Sequence, residues 1–119
     1  MARKLLLGLH DNGLARLAVN TGIICGYSSI SSNSQEELLR EASKGDYDAC
    51  IMDANYGFPN TTNIEASYEI WQLFEPKVKI GKARFMTLAG GDDTIEEARL
   101  LGVPAVNKSG FDIIGFLRI

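Results

Sequence analysis

The chain is expected to fold as an α/β domain in which a parallel sheet lies between two layers of helices, and three features of the sequence lead there. Short apolar runs alternate with stretches of helical periodicity five times along the 119 residues. Two of those runs, Leu5 to Leu9 and Ala49 to Met52, are apolar almost throughout, as strands buried on both faces are. Both stop at a carboxylate, the first at His10-Asp11 and the second at Asp53. Parallel neighbours need crossover connections, and right-handed crossovers can cover both sides of a sheet, so strict alternation implies three layers. A doubly wound, flavodoxin-like sheet of order 2-1-3-4-5 fits best, and it sets the ends of the first and third strands together at the topological switch point where such sheets bind ligands.

Lys4 to Leu9 reads as the first strand, closed by the turn His10-Asp11-Asn12-Gly13. Leu14, Leu17, Ala18, Thr21 and Cys25 then recur at helical spacing, which predicts an amphipathic helix over 13–24, weakened by Asn20 and Gly22. Gly26-Tyr27 opens a poorly hydrophobic second strand through Ile30. Ser34-Gln35-Glu36-Glu37 is a capping box ahead of Leu38, Leu39 and Ala42, and Lys44-Gly45 ends that helix with glycine at the C-terminal position it favours. The third strand lies in the run Tyr47 to Asn55, which ends its apolar part at Asp53 and is bounded by Gly45-Asp46 before it and by Tyr56-Gly57-Phe58-Pro59-Asn60 after it. The longest irregular stretch follows, Tyr56 to Thr62, with Gly57, Pro59, Asn60 and two threonines; loops of this kind often carry function.

Ile64, Ser67, Tyr68, Trp71 and Phe74 form the next helix face, expected to stop at Glu75-Pro76 because proline lacks the amide and clashes with the preceding turn. Lys77 to Ala83 is a basic connection and Arg84 to Ala89 the fourth strand. After the loop Gly90-Gly91-Asp92-Asp93, a helix is expected from Thr94 to Leu101, its acidic first turn suiting the helix dipole. Gly102 to Lys108 holds a short fifth strand, and Ser109 is expected to cap a final helix through Phe111, Ile114 and Leu117. No repeat and no internal boundary is visible, so residues 1–119 read as one domain.

Composition narrows the function. The 12 basic residues against 15 acidic ones, a net charge of -3, form no dense cluster, so neither nucleic-acid binding nor a polybasic membrane patch is expected. Leu5-Leu6-Leu7 is too short for a signal peptide and no window approaches a membrane span, which makes the cytoplasm the expected location. Cys25 and Cys50 have no metal-ligand spacing and read as buried free thiols.

The expected strand order brings Asp11 and Asp53 into one cleft although 42 positions (53 - 11) separate them. Two carboxylates sharing a cleft repel each other unless a cation sits between them, and a divalent metal and a lysine are the usual solutions. Singly, each candidate also has a plain reading. Asp53 could cap a turn, Lys108 could be a solvated strand-end charge, and Thr87 could be an ordinary β-branched strand residue.

Taken together these placements resemble, over essentially the whole chain, the CheY-like receiver domain of response regulators, the phosphoacceptor module of two-component signalling. In that family an acidic pair ends the first strand, the phosphorylated aspartate the third, a Ser or Thr the fourth and a lysine the fifth. His10-Asp11, Asp53, Thr87 and Lys108 stand in those places. The resemblance implies phosphorylation of Asp53, a metal held by Asp11, Asp53 and the Asn55 carbonyl with His10 as a further candidate, and phosphate contacts from Thr87 and Lys108. Mg²⁺ is the implied metal and Mn²⁺ the alternative. The implied partners are a histidine kinase or phosphotransfer protein and a downstream effector, with homodimerisation open. The only chemistry implied is self-catalysed phosphotransfer and dephosphorylation, so the chain is not expected to be an enzyme in the ordinary sense. An aspartate nucleophile attacking a phosphoryl group needs these residue types in any case, since charge must be neutralised on oxygens that repel one another.

Several residues depart from the family pattern. His10 stands where a carboxylate is usual, the Tyr56 to Thr62 loop is stretched, Ser109 replaces a proline, and Ala105 replaces the aromatic of the fifth strand. They keep open a second reading, a degenerate receiver acting as a phosphorylation-independent interaction module. Two enzyme classes are disfavoured: Gly8 to Gly13 has a P-loop glycine frame but Leu14 and Ala15 follow it in place of Lys and Ser/Thr, and an aspartate-nucleophile phosphatase lacks its second acid because Asn55 stands there.

Overall fold

The computed structural model describes residues 3–32, 34–54 and 64–118. Its strands are β1 (Arg3–Gly8), β2 (Tyr27–Ser31), β3 (Ala49–Asp53), β4 (Arg84–Ala89) and β5 (Ala105–Asn107). Alternating with them are α1 (Asn12–Ile24), α2 (Gln35–Ser43), α3 (Glu65–Lys79), α4 (Asp92–Leu100) and α5 (Ile113–Arg118). All strand pairs are parallel and their order is β2-β1-β3-β4-β5, the doubly wound order expected.

The apolar runs occupy the centre of the sheet, where both faces are covered. Leu5, Leu6 and Leu7 of β1 and Cys50, Ile51 and Met52 of β3 are fully buried. Alternation along the strands divides them between two cores. Leu6, Cys50, Met52 and Phe85 pack with Leu38, Ile70, Trp71, Phe74 and Ala98 beneath α2, α3 and α4. Leu5, Leu7, Ile51 and Leu88 pack with Ala18, Ile113 and Leu117 beneath α1 and α5. Glycines end α1 to α4 by taking the left-handed conformation just past the C-cap, at Gly26, Gly45, Gly81 and Gly102.

Three expectations are corrected. Helix α3 continues through Pro76 to Lys79. The proline forfeits one helical hydrogen bond, but Phe74 and Val78 on either side of it pack into the core, and Lys77 Nζ donates to the carbonyls of Gly45 (3.1 Å) and Tyr47 (2.9 Å). Those tertiary contacts outweigh the local preference to stop. The cap of α5 is Asp112, whose Oδ1 accepts from the amide of Gly115 at 3.0 Å, and not Ser109, whose own amide is turned to Asn107 Oδ1 at 2.9 Å. The shift moves the buried face to Ile113 and Leu117 and leaves Ile114 exposed. Cys50 is buried as expected, whereas Cys25, at the end of α1, is partly exposed; both are free thiols.

Candidate functional site

Asp53 is the last residue of the fully buried strand β3 and is itself only 3% exposed, an unusual setting for a carboxylate. Its two oxygens are held differently. Oδ2 accepts the main-chain N–H of His10 at 2.7 Å. Oδ1 lies 3.0 Å from Lys108 Nζ, yet among the described residues it accepts no directed hydrogen bond, so this contact is an ion pair.

Three strand ends create that arrangement. β1 and β3 are neighbours with Gly8 opposite Met52, which sets His10, two residues beyond β1, beside the end of β3. β3 and β4 are neighbours with Asp53 opposite Leu88, and the Ala54 amide donates to the Leu88 carbonyl at 3.0 Å. β5 follows β4 with Asn107 opposite Ala89, and the Lys108 amide donates to the Ala89 carbonyl at 2.8 Å. The lysine is thereby fixed at its backbone, one strand away from the aspartate that its ammonium reaches. Asp53 and Lys108, 55 positions apart (108 - 53), are thus brought into contact.

Asp11 has a local task as well. Its Oδ1 accepts from the Leu14 amide at 2.9 Å and caps α1, leaving its second oxygen outside the cap. Gly13 completes the turn, since a Cβ there would come within 3.2 Å of the capping oxygen. Thr87 is fully buried and its Oγ1 has no hydrogen-bond partner among the described residues. It aligns with Met52 and not with Asp53, so strand alternation directs it to the α2/α3/α4 side of the sheet, while Leu88, which aligns with Asp53, belongs to the other core. Asn55 and the Tyr56 to Thr62 loop lie outside the described residues. Residue patterns did not reveal the role of His10 as a main-chain donor, because an N–H is common to every residue but proline and leaves no mark in sequence.

The donor set can be tested for a metal. No group of three His, Cys, Asp or Glu suited to an ion occurs among the described residues, which does not fit a metal caged wholly by side chains. Asp53 Oδ1, buried without a hydrogen-bond donor, and the second oxygen of Asp11 fit the other pattern, in which a hard divalent ion uses one or two carboxylates and keeps several waters.

No family model matches the chain, and no curated protein matches it. Solved structures do. A response regulator from Burkholderia pseudomallei, determined with a phosphorylated aspartic acid, calcium ion and citrate, superposes with a TM-score of 0.71 at 18% identity over 97% of this chain, which spans 64% of that protein. The chemotaxis response regulator CheY4 of Vibrio cholerae gives 0.67 at 17% identity, covering 99% of this chain and 95% of its own. The receiver domain of a Pseudomonas aeruginosa sensor histidine kinase, with magnesium coordinated in its active-site cleft, gives 0.63 at 16% identity over 99% and 93% of the two chains. A de novo designed Rossmann 2x3 protein also matches, at 0.62 and 17% identity over 99% of this chain and 84% of its own. The chain therefore has the CheY-like receiver fold. A designed protein among the matches is a reminder that fold does not assign function, which has to be argued from the site.

Proposed function

We propose, from a receiver fold with this strand-end constellation, that the chain is a phosphoacceptor domain of a two-component response regulator, and that Asp53 takes the phosphoryl group. The observation that carries the reading is the Asp53 carboxylate: buried, fixed through Oδ2 by the His10 amide, and facing Lys108 through an oxygen that accepts no hydrogen bond. A nucleophile held in one orientation has already lost the freedom that a flexible one must give up to react.

In the proposed step the donor is a phosphohistidine of a kinase or phosphotransfer protein, or a small acyl phosphate. A carboxylate oxygen of Asp53 forms a bond to phosphorus as the bond from phosphorus to the donor nitrogen or oxygen breaks, and the departing group leaves with that electron pair. Lys108, already 3.0 Å from Oδ1, neutralises charge gathering on the phosphoryl oxygens. Thr87, the hydroxyl that the resemblance implies for a further phosphate contact, lies by register on the opposite face of the sheet from Asp53, so the proposed step rests on Asp53 and Lys108. Asp11, Asp53 and the Asn55 carbonyl, with His10 beside them, would hold Mg²⁺ or Mn²⁺, which supplies further charge neutralisation. Hydrolysis of the acyl phosphate returns Asp53 to its starting state, and a downstream effector reads the interval.

One observation favours the competing reading, an interaction module that works without phosphorylation: the site gathers fewer acidic groups than receiver chemistry ordinarily uses, with His10 in place of one and no three-ligand cluster among the described residues. Intact-protein mass spectrometry with acetyl phosphate separates the two. The proposal expects the mass of one phosphoryl group to appear with Mg²⁺, to disappear with a chelator, and to be absent from Asp53→Asn. Wild-type protein that gains no mass at saturating donor and metal would leave the interaction module as the reading.

A further inference from the structure

Strand β2 is one edge of the sheet and pairs with β1 alone among the described residues. Two main-chain bonds show which of its groups that pairing uses. The Arg3 amide donates to the Gly26 carbonyl at 3.2 Å, and the Ser32 amide donates to the Leu7 carbonyl at 3.0 Å. Main-chain groups alternate in direction along a strand, so positions 26, 28, 30 and 32 face β1 while the amides and carbonyls of Tyr27, Ser29 and Ser31 face outward. No turn or loop bond to a described residue uses those three.

Edges of this kind invite another strand, and natural sheets guard them with charges, prolines, bulges or brevity. β5, at the opposite edge, is only three residues long and runs directly into Lys108. β2 has five residues, and from Gly26 to Gln35 the sequence carries no charge and no proline. Apolar groups flank it: Ile30 on the strand is 37% exposed, and Ile23 and Ile24 on the last turn of α1 are 64% and 73% exposed.

We propose that β2 pairs antiparallel with β2 of a second copy of this chain, about a two-fold axis at Ser29. The outward positions are the odd-numbered ones, so Ser29 meets the other copy's Ser29 and Tyr27 meets its Ser31, and each opposed pair exchanges both bonds for about six in all. Such a contact is its own complement, as a two-fold interface requires. The register decides in favour of a second copy over an unrelated strand, because the three outward positions are centred on Ser29 and a two-fold axis there pairs every one of their amides and carbonyls, while an uncharged edge meets itself without repulsion. Two five-residue strands fall well short of the roughly 20–30 residues a side of a standard interface, so the dimer is a weak one, with Kd on the order of 100 µM. This inference does not depend on the phosphoacceptor reading.

The test is analytical ultracentrifugation over a concentration series, combined with amide exchange followed residue by residue by NMR. Wild-type protein is expected to dimerise, and the amides of Tyr27, Ser29 and Ser31 to slow as concentration rises while those of Ser28 and Ile30, already bonded to β1, do not change. Ser31→Pro removes only an outward amide, which an edge strand tolerates, and Ser31→Lys puts on the edge the kind of charge by which natural sheets guard theirs; both are expected to stay folded and monomeric. A wild type that remains monomeric near millimolar concentration overturns the proposal and leaves the edge to a foreign strand. So does a dimer in which those three amides are unprotected, or in which both variants associate as the wild type does.

Discussion

A lysine meets an aspartate at each end of the sheet, and the two pairs differ in only one partner. Lys4 Nζ lies 2.7 Å from Asp46 Oδ2 at the end where the strands begin, and Lys108 Nζ lies 3.0 Å from Asp53 Oδ1 at the end where they finish. The lysine side chains are equally open, at 37% and 38% exposure, but the side chain of Asp46 is 53% exposed and that of Asp53 4%. Water can replace Lys4 around Asp46. It cannot easily replace Lys108 around Asp53.

The surroundings continue the contrast. At the Lys4 end the polar groups close on one another: the Tyr47 hydroxyl donates to Glu41 Oε1 at 2.6 Å, the Lys4 amide donates to Asp48 Oδ2 at 2.8 Å, and Lys77 binds two carbonyls. Hydrogen bonds from Lys4 hold Asp46 below the usual carboxylate range, and hydrogen bonds from Lys44 and then Tyr47 do the same for Glu41. Lowered values mean that these contributions are present at neutral pH and fade as acid protonates the two groups, and their exposure keeps them small. At the other end Asp53 Oδ1 and Thr87 Oγ1 are buried with no hydrogen-bond partner among the described residues. A buried acceptor left open calls for an explanation, and the phosphoacceptor function proposed above supplies one for Asp53.

Removing each lysine tests the comparison most strongly. Lys108→Met leaves the Asp53 charge buried beside no cation and is expected to destabilise the protein by about 1–3 kcal/mol, less than a fully buried pair would lose because the lysine is partly solvated. Lys4→Met at the exposed pair is expected to cost less than about 1 kcal/mol. Adding Asp53→Asn to Lys108→Met should recover most of the loss, since no buried charge is left. Urea unfolding of the four proteins measures all of this, and equal costs at the two ends would mean that the burial of Asp53 has no energetic consequence.

Thr87→Val sharpens the contrast. Replacing a buried hydroxyl that has no partner with a methyl of similar size is expected to stabilise the fold by about 1–2 kcal/mol. Acetyl phosphate should label the variant more slowly if the hydroxyl serves the phosphoryl group. A melting temperature that falls on this substitution would show that the hydroxyl is satisfied in the folded protein and that the two ends of the sheet are alike.

The Lys108 end was more legible than the Lys4 end, for a physical reason. Strand ends at a switch point are where ligands collect, so strand order alone pointed to Asp53, while Lys108 was placed by the resemblance, which puts a lysine at the end of the fifth strand; the contact between the two exists. Asp11 was legible as a carboxylate at that cleft, but its capping bond to Leu14 was not foreseen although the turn Asp11-Asn12-Gly13 permits it. Thr87 was placed on the correct strand while its face depended on a register that side-chain types do not set: Thr87, Leu88 and Ala89 are all compatible with a buried strand, and only the pairing of Asp53 with Leu88 decides the matter. The Lys77 clamp was hidden because it required α3 to continue past Pro76, against local preference.

The smallest expected effect concerns His10, whose amide holds Asp53 Oδ2 and which occupies in sequence the position where the family carries a carboxylate. His10→Asp keeps the amide and changes only the side chain, so the anchoring bond survives while one negative charge is added. Mg²⁺ is a hard ion that prefers oxygen and holds its waters, and it should bind the variant severalfold more tightly, a gain below about 1.4 kcal/mol. Mn²⁺, more tolerant of nitrogen, should gain less, so the preference for Mn²⁺ over Mg²⁺ should narrow on substitution. Titration of both ions into both proteins reads the difference without any phosphodonor. Unchanged Mg²⁺ affinity would place the imidazole outside the reach of the ion and confine the contribution of His10 to its main-chain N–H.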